Sequence, residues 1–189
     1  MLDIKKIDGS WTLFLDRDGV INHEKHLDYI YNYHEFVFYD GVKEALAHFT
    51  KIFKYIFIAT NQRGVGKGLM TEEALLDVHA KMKADISKAG GRIDGIYYCT
   101  SLSNDDPDRK PNPGMALKAQ QKYPDIDLSK SVMVGNNISD MEFGRNAGMH
   151  TVFLKTTQPD LQLPQPSVDL DYNSLLNFAE AINIARNLY

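Results

Sequence analysis

Short apolar runs alternate with amphipathic segments along most of this chain, and this alternation restricts the fold more than any other feature. The apolar runs, which predict strands, are residues 11–15, 55–59, 93–99, 131–134 and 151–154. Helix-type periodicity falls at residues 42–49, 71–89, 111–123, 138–146 and 174–187. Nearly continuous apolar strands separated by helices are typical of a parallel sheet covered on both faces. We therefore predict a doubly wound, Rossmann-like α/β fold.

Length and composition favour one globular domain over residues 1–189. A chain of this size is usually a single domain, and 43% apolar with 24% charged residues is ordinary for a soluble protein. No insert of cap-domain size separates the predicted elements. We therefore expect an open site, suited to small substrates or covered by another subunit. The protein is expected to be a monomer or a small homo-oligomer.

Charge, cysteine content and hydropathy exclude several functional classes. A net charge of -4 disfavours a broad nucleic-acid surface. The single cysteine, Cys99, excludes an intramolecular disulfide and a cysteine-rich zinc cluster. No run approaches the roughly 18 apolar residues of a membrane span, and the N-terminus lacks the apolar core of a signal peptide. These features predict a soluble protein in the reducing cytoplasm.

Polar residues follow three of the predicted strands. In parallel α/β sheets, ligands bind beyond the carboxyl ends of the strands. The candidates at that edge are Asp16, Asp18, Thr60, Asn61, Asn136, Asn137 and Asp140. Their positions alone predict one common site.

The segment Asp16-Arg17-Asp18-Gly19 carries the strongest chemical signal. Two carboxylates two residues apart can share one Mg²⁺, which prefers oxygen ligands. One could attack phosphorus as a nucleophile, and the other could act as general acid and base. Gly19 would allow close backbone approach to a phosphate. The alternative is a polar turn after a strand.

Three further segments fit a phosphate site but also have simpler explanations. Thr60, Asn61 and Gln62 could bind phosphate oxygens through a hydroxyl and backbone N–H groups, or could form a turn. Lys110, next to Arg109, could balance the charge of carboxylates and substrate, or could be a solvated cation. The Asn-rich segment at Asn136 offers oxygen ligands, or a helix cap.

Three other features are open to interpretation. The segment Gly64-Val-Gly-Lys-Gly68 lacks the spacing of a nucleotide-binding loop, and we predict a flexible lip at the site. Tyr29, Tyr31 and Tyr33 alternate as in a strand and could form a cover or pack internally. Among the scattered histidines, His23 alone follows the segment Asp16-Arg17-Asp18-Gly19 closely enough to contact substrate.

Four segments together resemble the motifs of the haloacid dehalogenase (HAD) superfamily of phosphatases. These are Phe14-Leu-Asp-Arg-Asp-Gly-Val-Ile-Asn22, Ala59-Thr-Asn-Gln62, Arg109-Lys-Pro-Asn-Pro113 and Val134-Gly-Asn-Asn-Ile-Ser-Asp140. The resemblance spans about residues 11 to 154. The residues in and around the motifs, including Gly95-Ile-Tyr-Tyr-Cys99, are similar to those of one branch of the superfamily. That branch contains the heptose-bisphosphate 7-phosphatases and the histidinol-phosphate phosphatases.

The resemblance implies a role for each motif residue. Asp16 would be the nucleophile, forming an aspartyl-phosphate, and a ligand of Mg²⁺. Asp18 would be the general acid and base, with its carbonyl oxygen on the metal, and position 136 would supply the remaining protein ligand. Thr60 would hold the transferring phosphoryl group. Lys110 would orient the nucleophile Asp16 and balance its charge. Gly19, Asn61, Gln62 and Arg109 would contact substrate.

The chain departs from the family pattern at two places. Position 136 is usually Asp in the family and is Asn in this chain. An amide oxygen can coordinate Mg²⁺, but without a charge it attracts the cation less strongly. Asn137 or Asp140 could compensate for the missing charge. The branch usually carries a zinc loop of three cysteines and a histidine, whereas here only Cys99 remains. Since a structural zinc site needs about four such ligands, we predict no zinc, and the loss leaves the heptose and histidinol substrates open.

The sequence favours a Mg²⁺-dependent hydrolase of a small phosphate monoester and leaves two alternatives. The first is a phosphate- or metabolite-binding protein that has lost catalysis through Asn136. The second is a phosphotransferase that passes phosphate from Asp16 to an acceptor other than water.

Overall fold

The structure, a computed structural model, describes residues 1–187 and is built around a parallel sheet of six strands. These are β1 (Thr12–Leu15), β2 (Tyr55–Asn61), β3 (Gly95–Cys99), β4 (Ser131–Gly135), β5 (His150–Leu154) and β6 (Leu170–Tyr172). Their order in the sheet is β3-β2-β1-β4-β5-β6, with every neighbouring pair parallel. The predicted doubly wound α/β fold is confirmed.

Six helices accompany the sheet. They are α1 (Val42–Thr50), α2 (Arg63–Gly66), α3 (Glu72–Lys88), α4 (Gly114–Lys122), α5 (Ile138–Asn146) and α6 (Leu175–Asn187). Short 3-10 helices form at Ile4–Lys6, Tyr33–Glu35 and Leu128–Lys130. Within residues 1–187, no helix combines the length and the apolar character needed to cross a membrane.

The two faces of the sheet bury different residues of the same strands. Leu13 and Leu15 pack with α1, α3 and α6 on one face, whereas Phe14 packs with α4 and α5 on the other. This alternation follows from the two-residue period of a strand. Since both faces are covered, every residue of β1 is buried, which explains why the strand reads as an unbroken apolar run.

The register of the central strands aligns the polar residues that follow them. Leu15 pairs with Ile58 of β2 and with Val134 of β4. The Asp16 amide continues this pairing and donates to the Val134 carbonyl at 2.9 Å. The segments after β2, β1 and β4 therefore leave the sheet side by side.

Some predicted boundaries differ from the structure. The helix predicted over 111–123 begins only at Gly114, because Pro111 and Pro113 lie in the preceding turn. The predicted flexible lip is partly helical, as α2. The sequence also gave no prediction for β6, whose three residues are too few for a periodic signal.

Candidate active site

Lys110 joins two acidic residues at the carboxyl edge of the sheet. Its Nζ lies 2.8 Å from Asp16 Oδ1 and 2.7 Å from Asp140 Oδ1, and both Lys110 and Asp140 are buried. A buried ammonium is stable only when it is paired with charge. The solvated-cation alternative for Lys110 is therefore wrong.

Two neighbouring segments fix the position of Lys110. Asn61, at the end of β2, accepts from the Lys110 amide and donates to the Lys110 carbonyl, both at 3.1 Å. Asp140, in the first turn of α5, accepts through Oδ2 from the amides of Asn136 and Asn137. Asn137 completes a capping box with Asp140, so the helix-cap interpretation of this segment is correct for Asn137.

Asp18 is held by three donors. The Arg17 guanidinium donates to both of its oxygens at 2.9 Å, Asn22 Nδ2 donates to Oδ1 at 3.0 Å, and Gln62 Nε2 donates to Oδ2 at 2.9 Å. Burial acts to raise the pKa of Asp18, but Arg17 and the other donors hold it below its ordinary value. Asp18 is therefore an ionised, oriented carboxylate at the mouth of the site.

A second buried residue supports Arg17 from behind. His79 of α3 places Nε2 3.1 Å from Arg17 Nη1, and both side chains are buried. Burial, followed by the nearby Arg17 charge, lowers the pKa of His79 to about 3. His79 is thus neutral at physiological pH and can accept from Arg17.

Asn136 presents a buried oxygen without a partner in the described part of the chain. Its Nδ2 donates to Thr157 Oγ1 at 2.7 Å, while Oδ1 has no hydrogen-bond partner among residues 1–187. A Cβ on Gly19, which has φ +83°, would lie 2.0 Å from Asn136 Nδ2, so glycine is needed here to admit Asn136. An orphaned buried amide oxygen beside a carboxylate is a donor set that fits Mg²⁺.

The oxygen ligands available for such a cation are chemically mixed. Among the lining side chains they include the Asp16 carboxylate and the Asn136 amide oxygen. Across residues 1–187, no group of three or more His, Cys, Asp or Glu side chains is arranged to hold a metal ion. A cation held here would therefore depend on the amide oxygen as well as on a carboxylate.

These residues surround a cavity of about 240 Å³. It is lined by Asp16, Asp18, Glu24, Thr60, Asn61, Arg109, Lys110, Asn136, Asn137, Ser139 and Asp140. Burial raises the pKa of Asp16 to about 7, because desolvation and the Asp140 charge outweigh the attraction of Lys110. A cation bound beside Asp16 would act in the same direction as Lys110 and lower this pKa.

A second hollow of about 250 Å³ adjoins the first. It shares Asp18, Glu24 and Asn61 with the cavity and is otherwise lined by Arg17, Gln62 and residues of the segment 25–30. Asp18 therefore lies between a highly polar cavity and a neighbouring space large enough for part of a small molecule.

Most of the residues predicted from sequence line this region, with some in unexpected roles. Thr60 accepts from Gln62 Nε2 at 2.9 Å, and Arg109 donates to the Ser101 carbonyl and to Asn104 Oδ1. His23 instead packs against Tyr39, with ring centroids 3.8 Å apart and the rings tilted by 38°, beside a different hollow.

The alternating tyrosines, for which a cover or internal packing was open, do not form a strand. Tyr29 lines the second hollow, Tyr31 donates to Asp28, and Tyr33 donates to Asp85 of α3. Tyr33 thus packs internally, whereas Tyr29 remains beside the site.

Sequence reasoning missed Glu24, His79 and Thr157. Burial raises the pKa of Glu24, and a hydrogen bond from Asn136 partly opposes this. His79 lies mid-helix, where periodicity suggests only packing. Thr157 follows β5, so the strand-end rule that selected the other candidates could have found it.

Comparisons with known proteins identify the family of this chain. A family model described as HAD-hydrolase-like matches residues 108–174. The D-glycero-alpha-D-manno-heptose-1,7-bisphosphate 7-phosphatase of Campylobacter jejuni subsp. jejuni is 40% identical over 143 residues, covering 76% of this chain and 81% of that protein. The enzyme of the same name from Mycobacterium bovis is 34% identical over 177 residues, covering 93% of each chain.

A solved structure with the same fold carries the ligands expected at such a site. The D,D-heptose 1,7-bisphosphate phosphatase of B. bronchiseptica, complexed with magnesium and phosphate, superposes with a TM-score of 0.82 at 28% identity. The match covers 92% of this chain and 98% of that one.

Proposed function

Since the chain belongs to the haloacid dehalogenase-like phosphatases, we propose that it hydrolyses a small phosphorylated sugar through an aspartyl-phosphate on Asp16. We propose that residues 1–189 act as one domain, in the cytoplasm, with Mg²⁺ as cofactor. The observation that carries the proposal is the grouping of Asp16, Lys110 and the orphaned Asn136 Oδ1 in one polar cavity.

Asp16 has the position required of the nucleophile. Its carboxylate lines the cavity at the end of the central strand β1, and Lys110 contacts Oδ1 at 2.8 Å. This leaves Oδ2 as the oxygen that attacks phosphorus. The buried Lys110 charge is fixed before substrate arrives, which favours the negative charge that accumulates during transfer.

Asp18 has the position required of the general acid and base. It lines both the phosphate-sized cavity and the neighbouring hollow. The oxygen that links a phosphoryl group to a sugar would lie at that junction. Asp18 is ionised in the free protein, so it would take up a proton as the anionic phosphate binds beside it. It would give this proton to the leaving oxygen, and the resulting carboxylate would then activate the water that hydrolyses the aspartyl-phosphate.

Mg²⁺ would be held by Asp16, Asn136 and the carbonyl oxygen of Asp18. When bound, it would neutralise charge on the phosphoryl oxygens. The other contacts would come from Thr60, Asn61 and Arg109, which line the cavity. Gln62 and Gly19 would act by supporting Asp18 and Asn136.

The substrate class follows from the relatives and from the shape of the site. Relatives at 34–40% identity are named as 7-phosphatases of heptose 1,7-bisphosphate. A polar cavity joined to a second hollow suits a phosphate attached to a small polyol. We therefore propose a heptose bisphosphate or a closely related sugar phosphate, bound without zinc.

Phosphate release from a panel of esters tests this function. The panel contains heptose 1,7-bisphosphate anomers, simpler sugar phosphates, histidinol phosphate and nucleotides, each with Mg²⁺ and with chelator. We expect Mg²⁺-dependent release concentrated on sugar phosphates. Release from no ester by a folded, Mg²⁺-binding protein would instead indicate a binder, and transfer to an added sugar acceptor in preference to water would indicate a phosphotransferase.

A further inference from the structure

An asparagine in a cation site has a requirement that an aspartate lacks. The two oxygens of a carboxylate are equivalent, so either can face the cation. An amide has an oxygen that can bind Mg²⁺ and an NH₂ group that cannot. Asn136 can therefore serve as a ligand only when its amide is held in one of two orientations.

Thr157 contacts the end of the amide that must be kept away from the cation. Its Oγ1 lies 2.7 Å from Asn136 Nδ2, in the loop that follows β5. The adjacent Thr156 donates to the carbonyl of Gly19, whose missing side chain leaves room for Asn136. The loop is thus tied to both sides of the asparagine.

Glu24 removes the ambiguity that a hydroxyl leaves. A threonine hydroxyl can accept from an NH₂ group or donate to an oxygen, so Thr157 alone is compatible with either orientation. Glu24 lines the same cavity, close enough for the Asn136 side chain to act on the pKa of its carboxyl group. A carboxylate there would attract the NH₂ group and repel Oδ1, so it favours the orientation in which Nδ2 donates to Thr157 and Oδ1 has no donor among residues 1–187.

We infer that Thr157 is a positioning residue, which together with Glu24 orients the Asn136 amide so that Oδ1 is the end available to Mg²⁺. This inference rests on the proposed function, since it concerns the same cation site. It explains how an asparagine serves at a position where a carboxylate needs no such support.

The inference makes a prediction that a general structural role for Thr157 does not make. Losing the Thr157 hydroxyl should weaken cation binding when residue 136 is Asn. The same loss should matter little when residue 136 is Asp, because turning a carboxylate over exchanges one oxygen for another. The energetic coupling between the two positions is measured by a double-mutant cycle.

The cycle uses the whole chain in four forms: wild type, Thr157→Val, Asn136→Asp and the double variant. Free Mn²⁺ is followed by its paramagnetic resonance signal, and Mg²⁺ affinity is obtained by competition, so that no turnover is required. Thr157→Val has nearly the same shape as threonine, and Thr157→Ser serves as the matched control that keeps the hydroxyl. Melting curves without cation verify that each variant is folded.

We expect Thr157→Val to weaken Mn²⁺ and Mg²⁺ binding by about 3- to 10-fold in the Asn136 protein, the range for one lost hydrogen bond. In the Asn136→Asp protein the same change should alter affinity by less than about 2-fold. Thr157→Ser should bind like the wild type.

Two outcomes would overturn the inference while leaving the proposed function intact. One is unchanged cation affinity in Thr157→Val. The other is an equal loss of affinity in both backgrounds, which would mean that Thr157 merely supports the loop. A wild-type protein that binds neither Mn²⁺ nor Mg²⁺ at millimolar concentration would overturn both the inference and the proposed cation site.

Discussion

Lys110 Nζ lies 2.8 Å from Asp16 Oδ1, and this contact links the residue after β1 to the loop that precedes α4. The same ammonium lies 2.7 Å from Asp140 Oδ1. One buried cation thus separates two carboxylates that would otherwise repel each other. Removing it should affect both the stability and the chemistry of the protein.

Replacing Lys110 by methionine keeps the length of the side chain but removes its charge. We expect kcat to fall by about 10²–10³-fold, the range for losing one preorganised charge-stabilising group. We also expect the free energy of unfolding to fall by about 3–5 kcal/mol, because carboxylates are left buried without their partner. Steady-state kinetics and urea denaturation measure the two effects.

Lys118→Met provides the matched control for this change. Lys118 pairs with Asp108 at the surface, where its side chain is 59% exposed. Surface pairs contribute about 0–1 kcal/mol, so this variant should resemble the wild type. Wild-type kcat in Lys110→Met would contradict the role given to Lys110.

Asn136→Asp should tighten cation binding. The substitution adds a full negative charge beside Asp16, and we expect the Mg²⁺ concentration for half-maximal phosphate release to fall by about tenfold. Asn137→Asp is the matched control, since it adds the same charge to the cavity lining while aspartate caps the helix equally well. Equal effects of the two variants would argue against residue 136 as a ligand.

Asp18→Asn should separate the two chemical steps. With a sugar phosphate, turnover should fall by about 10²–10⁴-fold, the range for losing a general acid and base. An aryl phosphate has a leaving group that needs no proton, so Asp16 should still become phosphorylated. Rapid-mixing measurements should then show a burst of one phenol per enzyme, whereas slow release without a burst would contradict the assignment of Asp18.

His79→Gln should change how stability depends on pH. The pKa of His79 is about 3 in the folded protein and about 6.5 when unperturbed. Between these values only the unfolded chain binds the proton, so the His79 contribution to stability is lost as pH falls below about 6.5. The slope for one proton is about 1.4 kcal/mol per pH unit.

The comparison between variants isolates this group, because Asp16 titrates in the opposite sense. The pKa of Asp16 is about 7 in the folded protein and 3.8 when unperturbed. Between these two pH values only the folded protein binds the proton. Measured with chelator present, the stability difference between His79→Gln and wild type should shift by about 2 kcal/mol in favour of the variant from pH 7 to 5. Parallel curves of unfolding free energy against pH for the variant and the wild type would exclude a neutral buried His79. His34 is exposed, so His34→Gln serves as the control and should follow the wild type.

The sequence predicted the parts of the fold that local patterns determine. Buried parallel strands must be apolar on both faces, so β1 and β4 stand out as unbroken apolar runs. Their carboxyl ends share one edge of the sheet, and that geometry alone brought Asp16, Asp18 and Asn136 together as candidates. The edge strand β6 has only three half-buried residues and leaves no such pattern.

The supporting residues of the site could not be predicted in the same way. Whether Lys110 is solvated or buried depends on Asp140, thirty positions away, and on the main-chain contacts of Asn61. Arg17 reads as a surface charge, yet it is buried because His79 and Asp18 satisfy it. Contacts of this kind arise only when the helices pack onto the sheet, so they leave no periodic pattern in the sequence from which they could be predicted.

The covalent step on Asp16 is tested most directly by stopping the reaction with acid during turnover and mapping the phosphorylated peptide by mass spectrometry. Wild-type protein, mixed with Mg²⁺ and its best sugar phosphate, should carry one phosphoryl group on Asp16. Asp16→Asn should carry none and release no phosphate while melting like the wild type. Phosphate release by Asp16→Asn, or turnover by wild type with no phosphoryl group on Asp16, would contradict the account.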